Sequence, residues 1–389
     1  MAPVLFGRGT FATIAENAKK LGMTRVFLIT DKGIPETSPV TNAKKMLEDA
    51  GLSAVGWNGV QPDAPEQVIK DAAAIARRER VDGVIGIGGG SSLDTAKLVS
   101  VVTVNGDEVL KGPTLVENLM AVLTGQKTER DLYPKKPLPL LLISTTAGTG
   151  AESTYVAVVS SIDLDIKVGL VRAGDFAIVD PSLTDTAPPI VTAFTGLDAF
   201  SHANEALTDE KNTAHADLLA YEAMRLIAKW LPIAVKDGAN NEARDNLALA
   251  SNFAGISFSE SGVHIGHSAA HALGHKYHLP HGMCCAWATP AVIEFVAKDY
   301  PEKTKKIGAA MGIDVKSDDP KVIGKTVADA VRALMKDVKL PSPKEKGLTK
   351  EQVTSLKPLI YKEPLCETYD GVVTEQDVVT LLDTIYDRF

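Results

Sequence analysis

Residues 264–282 read HIGHSAAHALGHKYHLPHG, and six of the chain's eight histidines fall inside this window. Imidazole is the commonest transition-metal ligand and also titrates near neutral pH, so such a cluster points to metal binding or proton transfer. His267, His271 and His275 recur at i, i+4 and i+8, a spacing that places them on one face of a helix. His281 follows in a Pro-His-Gly turn. Upstream, GLDAFSHANEA holds Asp198 and His202 four residues apart, a second helical pair. One carboxylate with several imidazoles suits a divalent first-row metal, and no spaced cysteine pair stands nearby to make a structural zinc site.

A second group of chemistry-bearing residues lies in GIGGGSSLDTAK (86–97), where an apolar run leads into glycines and then into a helical pattern. Glycines let the backbone approach an anion closely, and the first free N–H groups of the helix donate to it with a favourable dipole. That combination would cradle a pyrophosphate; the alternative is a plain tight turn between strand and helix. The strict G-x-G-x-x-G fingerprint is absent, because Gly86-Ile87-Gly88 is followed by Gly89, Gly90 and Ser91. Nor does a G-K-[ST] ending make it a Walker loop. A second polar loop, STTAGTG (144–150), closes another apolar run. Two such loops at strand ends favour a cofactor crevice over two idle turns. Asp31, in LITDKG, ends an earlier run. A carboxylate there can accept hydrogen bonds from ribose hydroxyls and repel a 2′-phosphate, or merely close a turn.

The elements that must position these residues alternate through the first half. RVFLIT (25–30), LSAVGWNGV (52–60), DGVIGIGGG (82–90), PLPLLLISTTAGTG (137–150), STYVAVVSSI (153–162) and FAIVDP (176–181) read as strands. VTNAKKMLEDAG (40–51), PEQVIKDAAAIARRER (65–80) and SSLDTAKLVSVV (91–102) read as helices between them. Near-continuous apolar strands alternating with helices predict a Rossmann-like parallel sheet covered on both faces. After TDTAPP (184–189) the pattern becomes Ala/Leu-rich with helical period, and a double proline would interrupt either element. An α/β domain over 1–185 and an all-α domain over 186–389 are expected, as suits a chain of 389 residues. KLPSPKEKGLTKEQ (339–352) reads as a loop.

A net charge of −8, with Lys and Arg in doublets at most, argues against a nucleic-acid surface and a polybasic membrane patch. Three cysteines, two of them adjacent, make no disulfide framework. MAPVLFGRGTFATIAENAKK lacks the pattern of a secretory signal, and no apolar run is long enough to span a bilayer. A cytoplasmic location is expected.

Four segments together resemble the marks of the iron-containing (group III, metal-dependent) alcohol dehydrogenase family: GGGSSLDTAK (88–97), TTAGTGAE (145–152), TGLDAFSH (195–202) and HSAAHALG with the following PHG (267–282). FGRG (6–9) and LCETYDGVVTEQDVVTLL (365–382) are similar to the family too, so the resemblance runs in order along the whole chain. It implies a dehydroquinate synthase-like architecture and an NAD(H) alcohol dehydrogenase or aldehyde reductase, working as a homodimer or larger assembly on a small alcohol or aldehyde. It implies Asp198, His202, His267 and His281 as metal ligands, and His267 with His271 at the catalytic centre, His271 standing outside the ligand set as a proton relay. Gly89, Gly90 and Ser91 would hold the pyrophosphate with Asp94 close behind. Thr145, Thr146 and Thr149 would flank the nicotinamide, Lys167 would lie at the cofactor, and Asp31 would favour NAD over NADP.

Hydride transfer from an alcohol carbon is slow until the hydroxyl sheds its proton, and a divalent metal with open positions lowers that pKa. Iron(II) is the expected ion, with zinc, manganese, nickel and cobalt able to take the same ligands. The site is expected in the cleft between the two domains. The chain departs from the family's pattern at His264, His275 and His278, at Glu260, and at Tyr155 and Val156. Extra imidazoles beside the site would favour an aldehyde carrying an anionic group, such as sulfoacetaldehyde or a semialdehyde; the alternative is that these three are surface or lid residues. The competing function is a dehydroquinate synthase-like lyase using NAD and a divalent metal. That enzyme needs a strongly basic pocket, and the site segments carry few Arg or Lys.

Overall fold

The computed structural model describes residues 2–164, 166–361 and 363–389. The chain forms two compact units. One gathers the N-terminal residues up to Thr146 with Gly150–Thr186; the other gathers Ala147–Thr149 with Ala187–Phe389.

The first unit contains strands β1 (Val4–Phe6), β2 (Arg25–Ile29), β3 (Ser53–Trp57), β4 (Gly83–Gly88), β5 (Leu140–Ser144), β6 (Val156–Ser161), β7 (Ile166–Val171) and β8 (Phe176–Val179). Its helices are α1 (Ile14–Lys20), α2 (Ala43–Asp49), α3 (Glu66–Arg78), α4 (Gly90–Asn105), α5 (Gly112–Leu123) and α6 (Glu129–Leu132). Six strands form one sheet in the order β1-β8-β5-β4-β2-β3, and every neighbouring pair is parallel. Successive side chains feed opposite cores: Leu140 and Leu142 join one, Leu141 and Ile143 the other. Burial on both faces is why these runs are continuously apolar. Each such side chain contributes roughly 1.5–3 kcal/mol when it leaves water.

The segment expected as a strand over 153–162 departs from that sheet. β6 pairs antiparallel with β7 in a separate two-stranded ribbon. The link from Ser161 to Ile166 is too short for a parallel crossover, which takes a dozen or more residues. The sheet reverses its order around β2, since the chain places β3 on one side of it and β4 on the other. The carboxyl ends of β2 and β4 therefore flank a topological switch point, where open α/β sheets bind ligands.

The second unit is helical: α7 (Pro189–Ala206), α8 (Ala214–Lys236), α9 (Asn241–Glu260), α10 (Ile265–Tyr277), α11 (His281–Val296), α12 (Pro301–Ala310), α13 (Pro320–Asp337), α14 (Lys350–Thr354), α15 (Lys357–Tyr361) and α16 (Glu375–Asp387). The double proline opens α7 instead of interrupting it, with Pro189 in the first turn, where a missing N–H costs nothing. From Gly196 to Ala206 every residue of α7 is buried, so it runs through the middle of the unit. α7 packs on α8, α9 and α11, and α10 packs on α11. No helix among the described residues is long and apolar enough to cross a membrane.

Candidate metal centre and nucleotide cradle

In the sheet unit, β4 ends at Gly88 with φ 152°. A Cβ there would run into the Ser92 side chain and lie 2.8 Å from Asp31 Oδ2, so only glycine makes this turn. Two residues earlier in β4, Gly86 meets Ala96, whose Cβ lies 2.5 Å from where its own would be, which lets α4 sit down on the sheet. The helix is capped by Gly89, which has no side chain to bond back, and its first turn carries no acid. Its N-terminal N–H groups and positive dipole end are thus left for an anion.

Asp31 follows β2 and closes a turn by accepting the Gly33 N–H at 2.7 Å. Its other oxygen accepts the Ser92 hydroxyl at 3.0 Å, so the carboxylate is tied to the first turn of α4. Thr145 donates its N–H to Gly88 O at 3.0 Å, and Ser144 Oγ donates to Thr146 O at 2.8 Å. The first of these bonds ties the second loop to the end of β4, and the other braces the second loop internally. Thr146 Oγ1 is buried with no hydrogen-bond partner, and its methyl would be 3.5 Å from a Cβ on Gly89. A cradle that a Cβ would fill, lined by an unused hydroxyl, fits a dinucleotide phosphate.

Lys167 pairs with Asp63 at 2.7 Å, and the Asp63 N–H donates to Ser91 Oγ at 3.3 Å. Asp63 and Ala64 both have positive φ, 62° and 42°, a strain that marks functional loops more often than idle ones. Asp94 accepts the Val158 N–H at 3.1 Å, and burial pushes its carboxyl up to about 6. Thr149 groups with the helical unit, whereas Thr145 and Thr146 belong to the sheet unit.

In the helical unit, α7 presents Asp198 and His202, α10 presents His267 and His271, and α11 begins with His281. The His267 ring centroid lies 4.7 Å from His202, 5.6 Å from His281 and 6.4 Å from His271. His281 Nε2 is 3.8 Å from Asp198 Oδ1. Donor atoms of Asp198, His267, His281 and Cys285 all lie within 4.8 Å of one another. His202 stands just outside that group, stacked on Phe258 at 4.3 Å.

Asp198 Oδ1, His202 Nδ1 and His267 Nε2 are buried without a hydrogen-bond partner. Each orphan costs about 1–3 kcal/mol, and two of these residues, Asp198 and His267, belong to the close-set donor group, where a shared partner would compensate them. Burial raises the Asp198 carboxyl to about 6 and drives His202 well below the usual imidazole range. A neutral imidazole and a carboxylate short of donors fit a cation.

Glu205 supplies what the sequence reading overlooked. Its Oε2 lies 2.8 Å from His267 Nδ1, and the same oxygen accepts the His264 N–H at 2.7 Å. Burial alone would raise the Glu205 carboxyl, but the His264 and His267 imidazoles and these two bonds hold it down, at about 2. An ionised carboxylate can only accept, so Nδ1 of His267 carries a proton and Nε2 is the nitrogen left to face a cation. Asp198, His202 and Glu205 stand at i, i+4 and i+7 on α7, a spacing that could have revealed Glu205. Glu363, 3.1 Å from His271 Nδ1, is 92 residues away along the chain and left no such signal. Lys97 was also missed: it is fully buried, donates to Thr154 Oγ1 at 2.8 Å and Val156 O at 2.9 Å, and burial lowers it to about 8.

The remaining histidines separate. His264 is neither a surface nor a lid residue: it is fully buried, and its Nε2 lies 2.9 Å from Thr208 Oγ1. His275 and His278 are exposed at the end of α10, so only the first two of the i, i+4, i+8 series turn inward. Glu260 faces His215 Nδ1 at 2.8 Å instead of the histidine cluster.

The profile of the iron-containing alcohol dehydrogenases matches residues 2–181, and the C-terminal profile of the Fe-containing alcohol dehydrogenase family matches residues 192–386. The chain is 31% identical to the choline dehydrogenase of Bacillus subtilis over 92% of its length and 87% of the relative's. It is 29% identical to the NAD-dependent methanol dehydrogenase of Bacillus methanolicus, over 97% and 96%. It superposes on the sulfoacetaldehyde reductase of Bifidobacterium kashiwanohense in complex with NAD+ with a TM-score of 0.83, 25% identity, and coverage of 100% and 98%. With both halves matched, this chain belongs to the iron-containing alcohol dehydrogenase family.

Proposed function

We propose that the protein transfers hydride reversibly between NAD(H) and a short-chain alcohol or aldehyde, at a divalent metal held by Asp198, His202, His267 and His281. The supporting observation is that Asp198, His267 and His281 place donor atoms within 4.8 Å of one another, with Asp198 Oδ1 and His267 Nε2 buried and unsatisfied and His267 oriented by a carboxylate. Bound there, the ion, iron(II) in the first instance, supplies the Lewis acidity that acidifies an alcohol hydroxyl or polarises an aldehyde carbonyl. Glu205 keeps the His267 proton on Nδ1. His271, half-buried and braced on Glu363, carries the hydroxyl proton between the site and water. In this reading residues 1–185 bind the nucleotide and residues 186–389 the metal. Gly89, Gly90 and Ser91 donate N–H groups to the pyrophosphate, Asp31 takes the ribose hydroxyls, and Asp94, Thr145, Thr146, Thr149 and Lys167 complete the cofactor's surroundings.

The three relatives act by name on a cation, a neutral alcohol and an anion, so family membership leaves substrate charge open. His264 is sealed from any substrate, which removes one of the imidazoles that could draw an anion. Likeness to a sulfoacetaldehyde reductase still favours testing an anionic aldehyde as a second reading. Initial rates on propionaldehyde, sulfoacetaldehyde and succinic semialdehyde, followed by NADH absorbance with iron(II) present, decide both points. Activity on at least one with stoichiometric NADH consumption supports the reading; redox-neutral turnover would support a lyase instead. We further propose a homo-oligomer in the cytoplasm, in keeping with three buried free thiols; light scattering reads the assembly.

A further inference from the structure

We propose that Lys97 is a positioning residue for Lys167, an inference that rests on the nucleotide reading above. A fully buried ammonium is costly, and a methionine would fill much of the same space with no charge to desolvate. What Lys97 holds is the outer edge of a ribbon. β6 uses one edge to pair with β7, and a lone two-stranded hairpin is marginal in water. The other edge of β6 is closed by side chains and loop backbone in place of a third strand. Lys97 Nζ donates to Val156 O at 2.9 Å and to Thr154 Oγ1 at 2.8 Å, and Asp94 Oδ2 accepts the Val158 N–H at 3.1 Å. Farther along, the Ser160 N–H donates to Ala64 O at 3.3 Å and the Ile162 N–H to Glu66 Oε2 at 2.9 Å.

That ribbon delivers Lys167. In the β6–β7 register Lys167 stands directly opposite Ser160, whose Oγ donates to Asp63 O at 2.9 Å. Asp63 pairs with the Lys167 ammonium at 2.7 Å and donates its N–H to Ser91 Oγ in the first turn of α4. A slip of one residue would turn every side chain of β6 to the opposite face. Pinning the edge at Val156 and Val158 therefore keeps Ser160 and Lys167 on the side of Asp63. α4 thus fixes the cradle twice. Its first turn is free to meet the phosphates, and about one and two turns farther on Asp94 and Lys97 set where the ribbon lies.

A double-mutant cycle on NADH binding to the full-length, iron(II)-loaded protein, read by calorimetry, tests this. Lys97→Met should weaken NADH about tenfold and raise its KM by the same factor, with the KM for aldehyde unmoved. Lys167→Met should weaken NADH by at least as much. In the Lys167→Met background, Lys97→Met should add less than about a twofold loss, because the group it positions is already gone. Equal losses in both backgrounds, or wild-type affinity in Lys97→Met, overturn the positioning role and leave the nucleotide reading standing. Wild-type affinity in Lys167→Met overturns it too, by removing Lys167 from the cofactor. Thr154→Val deletes a single acceptor of Lys97 and enters the same cycle with about a threefold loss expected, which decides the matter even if Lys97→Met misfolds. Failure of the wild type to bind NADH overturns the nucleotide reading as well.

Discussion

Glu205 and His267 form a buried pair, carboxylate Oε2 to imidazole Nδ1 at 2.8 Å, each residue less than a twentieth exposed. The pair decides which imidazole nitrogen is available to a cation. Glu205→Gln keeps the shape but loses the charge that fixes the proton on Nδ1. Metal affinity should fall about 10- to 100-fold, the usual cost of removing a carboxylate behind a histidine ligand. Competition against a chelator measures this; unchanged affinity would mean that Glu205 only supports the helix packing.

Acid should unload the centre. Asp198 is raised to about 6 by burial, and a protonated carboxyl is no ligand. Burial lowers the His267 imidazole, but Glu205 more than offsets this and leaves it above its ordinary value. Binding therefore weakens as pH falls through the ranges of both groups, by about tenfold per pH unit for each proton displaced. Zinc titrations between about pH 5 and 8 should trace that decline. Affinity independent of pH across this window would contradict the assignment of Asp198.

Gly88→Ala should damage the nucleotide side alone. Its positive φ and the collision of a new Cβ with Ser92 force the turn to move, costing about 1–3 kcal/mol. Calorimetry should show NAD affinity down at least tenfold with metal stoichiometry unchanged. Wild-type NAD affinity would mean that this turn does not hold the pyrophosphate.

Asp31→Ser removes the carboxylate proposed to take the ribose hydroxyls while leaving a small hydrogen-bonding group. The ratio of kcat/KM for NADP to that for NAD should rise about tenfold, equivalent to about 1.4 kcal/mol. No change in the ratio would confine Asp31 to closing its turn with Gly33 and Ser92.

How much of this was legible beforehand follows from what sequence periodicity encodes. The glycine turn after β4 and the inward face of α10 could be read because φ preference and the 3.6-residue repeat are local. The partners of a face are not local. Nothing in the window predicts that His271 meets Glu363, or that His264 meets Thr208, because those contacts arise from how distant segments pack. Lys97 looks like a solvated lysine on an amphipathic helix, yet α4 is covered all round and its ammonium is satisfied by Thr154 and Val156. The ribbon of β6 and β7 was half visible. β6 has the right residues for a strand, but only the short link to β7 shows that it leaves the parallel sheet.

The central claim is that a metal gripped by the α7, α10 and α11 side chains is required for nicotinamide-dependent turnover. The most direct test compares wild type and His267→Ala for NADH production from a short alcohol, before chelation, after chelation and after iron(II) is restored, with NAD binding measured alongside. The account predicts that wild-type turnover is lost on chelation and returns with iron(II). His267→Ala should be inactive throughout, at least 1,000-fold down (about 4.1 kcal/mol), yet bind NAD normally. Sustained turnover by His267→Ala, or by chelated wild-type protein, would contradict it.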